Sequence, residues 1–271
     1  MDEEHRIIHF LRALQAHRRS APGRNPRVDE IMVEAAHQLF QVSTLNAIVE
    51  GVFDGTMTMG ELRHHGDFGL GTFNALDGEL IAVDGEFYQL RSDGSARVVA
   101  DDMRTPFAVV QNFRPETSAD LAAPATIGGV RELVESLAGS DNYFFAVRID
   151  GLFSRIVLRA VPRQEMPYPT LVEATAHQSV FDFEHVEGSI VGFRFPDFSQ
   201  GINMAGLHLH FISSDRRRGG HVLDLVVESG TLTLDHTADF HLELPEVEAF
   251  GASDLGKDER EAIEQAERLS E

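Results

Sequence analysis

Apolar positions recur along much of this chain with a period of two, interrupted by turns rich in glycine and aspartate. That period belongs to strands, whose successive side chains point to opposite faces. It is clearest where Leu207, Leu209 and Phe211 alternate with His208, His210 and Ile212. One face of that predicted strand is apolar and the other carries the two histidines. A polar, glycine-ended segment at 213–220 (SSDRRRGG) leads to a second strand pattern at 221–227 (HVLDLVV). Two strand patterns joined so briefly predict a hairpin, which would bring His221 back across from His210. Upstream, 71–90 reads as short strands broken by Asp-Gly turns at 77–78 and 84–85, and 91–113 continues as strand, turn and strand. Residues 43–51 are apolar enough for a strand, 143–161 reads as two strands around Asp150-Gly151, and 183–195 and 230–244 read as further strands.

Helical patterns are fewer. Ile7, Ile8, Leu11 and Leu14 fall on one side of a predicted amphipathic helix over 1–17, and the basic, proline-bearing stretch 18–29 reads as a linker. Residues 1–30 are therefore read as an appendage to a main domain over 31–271, in which 31–42 is helical or mixed. Met59 opens a short helix with Thr58 as its cap, 117–138 contains a helix ending near Gly139, and 171–185 holds another short one. Residues 162–170 hold three prolines and form an irregular connection. Residues 253–271 form a charged helix with a narrow apolar seam of Ile263, Ala266 and Leu269. The fold class expected is α+β, with two β-rich lobes, roughly 31–165 and 166–271, built on mixed or antiparallel sheets. A faint internal echo at a spacing of 135 sets Gly71 over Gly206, Gly85 over Gly220 and Leu90 over Leu225 and hints at an internal duplication.

Composition narrows the chemistry. The chain has 271 residues, enough for a sizeable core, with 19 Phe and no Trp. The absence of cysteine excludes disulfides, thiolate ligands and a cysteine nucleophile. With 23 basic against 44 acidic side chains the net charge is -21, which repels phosphate backbones and argues against nucleic-acid partners. No apolar run reaches the roughly 18–20 residues that span a bilayer. The opening residues lack the basic start and unbroken apolar core of a signal peptide, so a cytoplasmic protein is expected. The glycines of GDFGLGTF lack the strand–turn–helix setting of a dinucleotide site.

His208, His210 and His221 fall within fourteen residues. Three imidazoles on one surface are what an open divalent metal site needs, and zinc leads because three nitrogen ligands and a vacant fourth position suit it. Mn, Fe, Co and Ni accept the same ligands. Against this stands the ordinary reading of a lone His-x-His as polar residues on a half-buried strand. From the residues alone Glu79 is read as exposed, and Arg148, Arg155 and Arg159 as snorkelling to solvent. His236 and His241 are read as surface histidines, and Glu264 and Glu267 as part of a solvated helix face.

The segments HGDFGLGTFNALDGELIAVDGEFYQ, FAVRIDGLFSRIVLR, PRQEMPYPTL and FPDFSQGINMAGLHLHFISSDRRRGGHVLDL resemble, in order, the motif blocks of the α-acetolactate decarboxylases. The resemblance covers roughly residues 38–271. It implies one zinc on His208, His210 and His221, an active-site glutamate at Glu79 and an arginine at Arg159, with Arg148 and Arg155 as lesser alternatives. It further implies a C-terminal glutamate that folds back toward the metal, Glu267 or failing that Glu264, and Thr72 as a pocket residue. The activity implied is conversion of (S)-2-acetolactate, a 2-hydroxy-3-oxo acid, to (R)-acetoin and CO2. The family also suggests a homodimer, on which no residue pattern bears.

Three other readings compete. Gly201, His208-x-His210, Asp215 and Gly220 loosely imitate the motif of cupin-type metal oxygenases and isomerases. A non-enzymatic binding protein on a related two-lobed scaffold is the second, opposed by the net charge. A metal-free structural protein is the third.

Overall fold

The computed structural model describes residues 37–122 and 124–267. The helix expected over 1–17, the linker over 18–29 and the start of the 31–42 stretch lie outside those residues. The strands are β1 (Gln38–Val42), β2 (Met57–Thr58), β3 (Phe68–Thr72), β4 (Glu79–Val83), β5 (Glu86–Leu90), β6 (Ala96–Val98), β7 (Arg104–Thr105) and β8 (Ala108–Gln111). They continue with β9 (Thr117–Asp120), β10 (Ala125–Thr126), β11 (Phe144–Ala160), β12 (Ser179–Phe195), β13 (Gly206–Ser213), β14 (Gly219–Thr237) and β15 (Asp239–Glu243).

Seven of them form one sheet in the order β15-β1-β8-β3-β4-β5-β6, antiparallel except where β15 runs parallel to β1. A second, antiparallel sheet runs β10-β14-β11-β12-β13, with β9 also on β14. Its last strand returns to β14 through the pairs His210↔His221, Phe211↔Gly220 and Ile212↔Gly219. Strands β2 and β7 make a small ribbon of their own. The predicted α+β class and mixed or antiparallel sheets match this architecture.

The lobes do not divide near 165 as expected. Strand β11 precedes that point yet is central to the second sheet, and β15 follows it yet edges the first. Pairing partners are chosen by buried faces rather than by chain order. The 135-residue echo is also limited: Gly71 and Gly206 both lie in strands, whereas Gly85 sits in the β4–β5 turn and Gly220 inside β14.

Alternation assigns the faces. In β4, Ile81 and Val83 enter an apolar cluster shared with Val191, Phe193 and Ile212 of the second sheet. Leu80 and Ala82 point the other way, into a cluster with Phe40, Met59 and Phe87. Strand β4 is thus covered on both sides, and Glu79 shares the parity of the face toward the second sheet. The far side of the second sheet is covered by the helix Ile127–Ala138, through Val130 and Val134. That helix is capped by Thr126 and stops at Gly139, at φ 66°. The helix expected near Met59 forms, with Thr58 and Glu61 making a reciprocal capping box.

Three local expectations are corrected. Residues 43–51 hold the helix Leu45–Val49, not a strand, because the Thr44 side chain accepts from the Ala47 N–H and starts a helical turn. Residues 38–42 are strand rather than helix. The segment 143–161 is one 17-residue strand and not two, since Asp150-Gly151 pairs on both sides, with β12 and with β14.

Candidate functional site

The inward face of β13 carries His208 and His210, and the hairpin brings His221 opposite His210 as a direct cross-strand pair. On its other side His221 pairs with Arg159 of β11. All four side chains are buried. The three imidazole centroids stand 5.1–5.3 Å apart, and one nitrogen from each ring lies within 4.8 Å of the other two. Asp215 takes no part: it is exposed in the turn and accepts from Ser213 Oγ at 2.6 Å, which removes the acid the cupin-like reading needs.

The tautomer of His210 follows from its neighbour. Its Nδ1 lies 2.7 Å from the Leu80 carbonyl oxygen. A carbonyl only accepts, so Nδ1 carries the proton and Nε2 presents a lone pair. That Nε2 is buried and makes no hydrogen bond among the described residues. Burial, reinforced by His208, pushes the His210 pKa well below its ordinary value, so the ring is neutral. A buried lone pair with no donor costs about 1–3 kcal/mol, and a cation would satisfy it. The set of three buried imidazole nitrogens therefore fits a divalent ion.

Glu79 is only 8% exposed, against the expectation of a solvent-facing side chain. Its Oε2 lies 3.8 Å from His210 Nε2, and its Oε1 lies 3.8 Å from Arg159 Nη1. Arg159, 3% exposed, likewise does not snorkel. The reason is irregular pairing. The pairing of β11 with β14 skips Ser154, so the face of β11 turned toward the first sheet passes from even positions such as Ala146 to odd positions such as Arg159 and, just past its end, Val161. Arg148 instead bonds Asp84 and Asp150 at 2.6 Å each, and Arg155 bonds Asp182 at 2.9 Å, both on exposed networks.

Sequence comparison agrees with this geometry. The family model "Alpha-acetolactate decarboxylase" matches residues 39–257. A Methylococcus capsulatus protein named alpha-acetolactate decarboxylase is 44% identical over 258 residues, 95% of this chain and 97% of its own length. A Bacillus subtilis protein of the same name is 44% identical over 80% of this chain and 86% of its own. The chain belongs to the α-acetolactate decarboxylase family. The crystal structure of α-acetolactate decarboxylase from Bacillus subtilis strain 168 superposes with a TM-score of 0.84 at 42% identity, covering 86% of this chain and 100% of that one.

Against that family background the remaining expected residues can be located. Thr72, buried, pairs across β3–β4 with Glu79 and donates from Oγ1 to the Gly78 carbonyl at 2.7 Å. It lines the same pocket as Glu79, Arg159, His208 and His210. The charged tail forms the helix Arg260–Glu267, with Ile263 and Ala266 buried as the seam predicts. Glu264 lies on its exposed side, and the Glu267 side chain lies outside the described residues. His241 is exposed and stacks on Phe40, and His236 packs edge-on against Tyr143, so neither joins the three histidines.

Sequence reasoning did not find the pocket's apolar wall of Leu45, Ile48, Leu76, Phe107, Val161 and Leu171. Those residues come from two short helices (Leu45–Val49 and Leu171–Thr175), a turn and two connections, so no periodic signal links them. The Leu80 carbonyl was equally invisible, because any residue type supplies one. Among the described residues no helix is long and apolar enough to cross a membrane.

Proposed function

We propose that this protein decarboxylates (S)-2-acetolactate to (R)-acetoin and CO2, with a divalent ion, zinc by preference, held by His208, His210 and His221. The observation that carries this reading is the Glu79 carboxylate set 3.8 Å from both the Arg159 guanidinium and the His210 imidazole, beside the histidine cluster. When bound, the ion supplies Lewis-acid polarisation of a ketone and stabilisation of the charge released as CO2 leaves.

The chain's own residues then have distinct tasks. Arg159, a buried and permanently charged fork, holds the substrate carboxylate and balances developing negative charge. Glu79 and Glu267 share proton transfer and orientation, delivering a proton to one face of the carbanionic product. Thr72 shapes the polar side of the pocket. Leu45, Ile48, Val161 and Leu171 give the substrate's methyl groups an apolar wall and keep water away from the reacting carbon. The net charge of -21 supports a small-molecule substrate over a nucleic acid. A homodimer and a cytoplasmic setting belong to this reading on the resemblance and on the sequence alone.

Incubation of purified protein with racemic acetolactate, with and without chelator, tests it directly. Consumption of the (S) form with (R)-acetoin as product, abolished by chelator and restored by zinc, is expected. Racemic acetoin at the uncatalysed rate, or turnover indifferent to complete metal removal, would overturn it.

A further inference from the structure

We infer that Asn46 is a positioning residue that latches the C-terminal segment over the apolar wall of the pocket. This rests on the decarboxylase reading for its kinetic consequence, though not for its geometry. Asn46 is buried in the short helix Leu45–Val49, whose Leu45 and Ile48 line the pocket. Its side-chain Nδ2 donates to two backbone carbonyls of the tail, Leu255 O at 3.1 Å and Lys257 O at 3.2 Å. Its backbone N–H donates to Gly201 O at 3.0 Å, in the turn that leads toward β13. Gly201 stands at φ +89°, and a Cβ there would come within 3.1 Å of the Asn46 amide. One side chain thus ties the pocket helix to the tail, and its backbone ties the same helix to the approach to the metal-ligand strand.

The tail beyond this tie is too short to hold its place unaided. The helix Arg260–Glu267 has eight residues, too few to be stable alone in water. Its hold on the body is a narrow seam, Ile263 and Ala266, buried in the cluster that contains Leu45, Ile48 and Leu171. These three residues are also pocket wall, so the tail helix backs the wall itself. A second tie, Lys257 Nζ to Glu50 Oε1 at 2.8 Å, is solvent-exposed and screened, and so adds little. The buried amide is the stronger fastening, because it satisfies two backbone acceptors in an irregular stretch. A carboxylate in its place only accepts and would face those two carbonyls without a proton to give.

The test uses the full-length, metal-loaded protein with Asn46→Asp and, should that variant fold poorly, Asn46→Ser. Hydrogen exchange of residues 258–267 is read beside that of 206–213, together with metal content, kcat and KM. Exchange in the tail is expected to rise at least tenfold with β13 and metal content unchanged, and kcat/KM is expected to fall tenfold or more. Ile263→Ala, which loosens the seam from the other end, should do the same. The double variant should then fall no further than the worse single one, because both act through one element. A tail as protected as in the wild type overturns the latch. So does a loosened tail with unchanged kinetics, or losses that multiply in the double variant. If the wild type does not turn over acetolactate, the functional reading fails while the exchange result still upholds or overturns the latch.

Discussion

His210 Nδ1 sits 2.7 Å from the carbonyl oxygen of Leu80, the residue after Glu79 in β4. One strand of the first sheet therefore orients an imidazole of the second and aims a carboxylate at that ring from the neighbouring position. The two sheets meet here through a polar contact inside an otherwise apolar layer. Any shift of β4 moves the carboxylate and the ring's anchor together, which holds the acid and the ligand in a fixed relation.

Replacement of His208, His210 or His221 by Ala should lower metal content by more than tenfold and abolish turnover with it. Elemental analysis of dialysed protein checks this. Full metal occupancy in all three variants would exclude these rings as the ligand set.

Glu79→Gln should separate binding from chemistry. The isosteric amide keeps the packing and leaves the histidines in place, so metal content should match the wild type. Turnover should fall by about a hundredfold or more, the usual scale for loss of a proton-transfer group. Glu267→Gln is expected to behave alike, with metal retained and turnover greatly reduced. Steady-state kinetics on metal-replete protein decides which carboxylate matters more.

Gly220→Ala should weaken the metal site without touching a ligand. A Cβ at this position would fall 2.6 Å from the Arg159 carbonyl oxygen and 3.0 Å from Leu158 Cβ. The backbone of β11 cannot yield cheaply, so β14 must move away and carry His221 with it. A tenfold or greater loss of metal affinity in competition with a chromophoric chelator is expected, along with a lower Tm.

Asp235 should set a pH dependence of stability remote from the pocket. Its fully buried carboxylate accepts from Gln111 Nε2 at 2.8 Å and from the Arg114 backbone N–H, and it faces His37 Nδ1 at 3.0 Å. Burial outweighs these partners and raises its pKa from 3.8 to about 6. The folded state thus favours the protonated acid. Stability from this group is full below about pH 3.8 and is lost as pH rises through about 6, by at most about 3 kcal/mol. Asp235→Asn should flatten that part of the profile. Denaturant titrations of both proteins between pH 4 and 7 measure it, and parallel profiles would refute the assignment.

Much of the second sheet was legible because its information is local. The alternation from Leu207 to Ile212 and the glycine-ended turn put two histidines on one face and the third across from them, as the pairing of His210 with His221 bears out. The helix ending at Gly139 and the seam of Ile263 and Ala266 were equally local. The helix Leu45–Val49 was missed because its one-residue cap at Thr44 outweighs four apolar positions that would also suit a strand.

By itself the sequence determined the class of the fold, the histidine hairpin and, through its motif blocks, the family. Only the tertiary structure decided that Glu79 and Arg159 are buried. The five residues of β4 show no polar alternation, because both of its faces are covered by other elements. Skipping Ser154 in β11 turns Arg155 and Arg159 to one face, and only Arg159 lies where the first sheet covers that face, against Glu79, while Arg155 stays in solvent. Alternation read along one strand tells which side chains share a face. Which face is buried depends on bulges and on what packs above and below, and those are properties of strands brought together from distant parts of the chain.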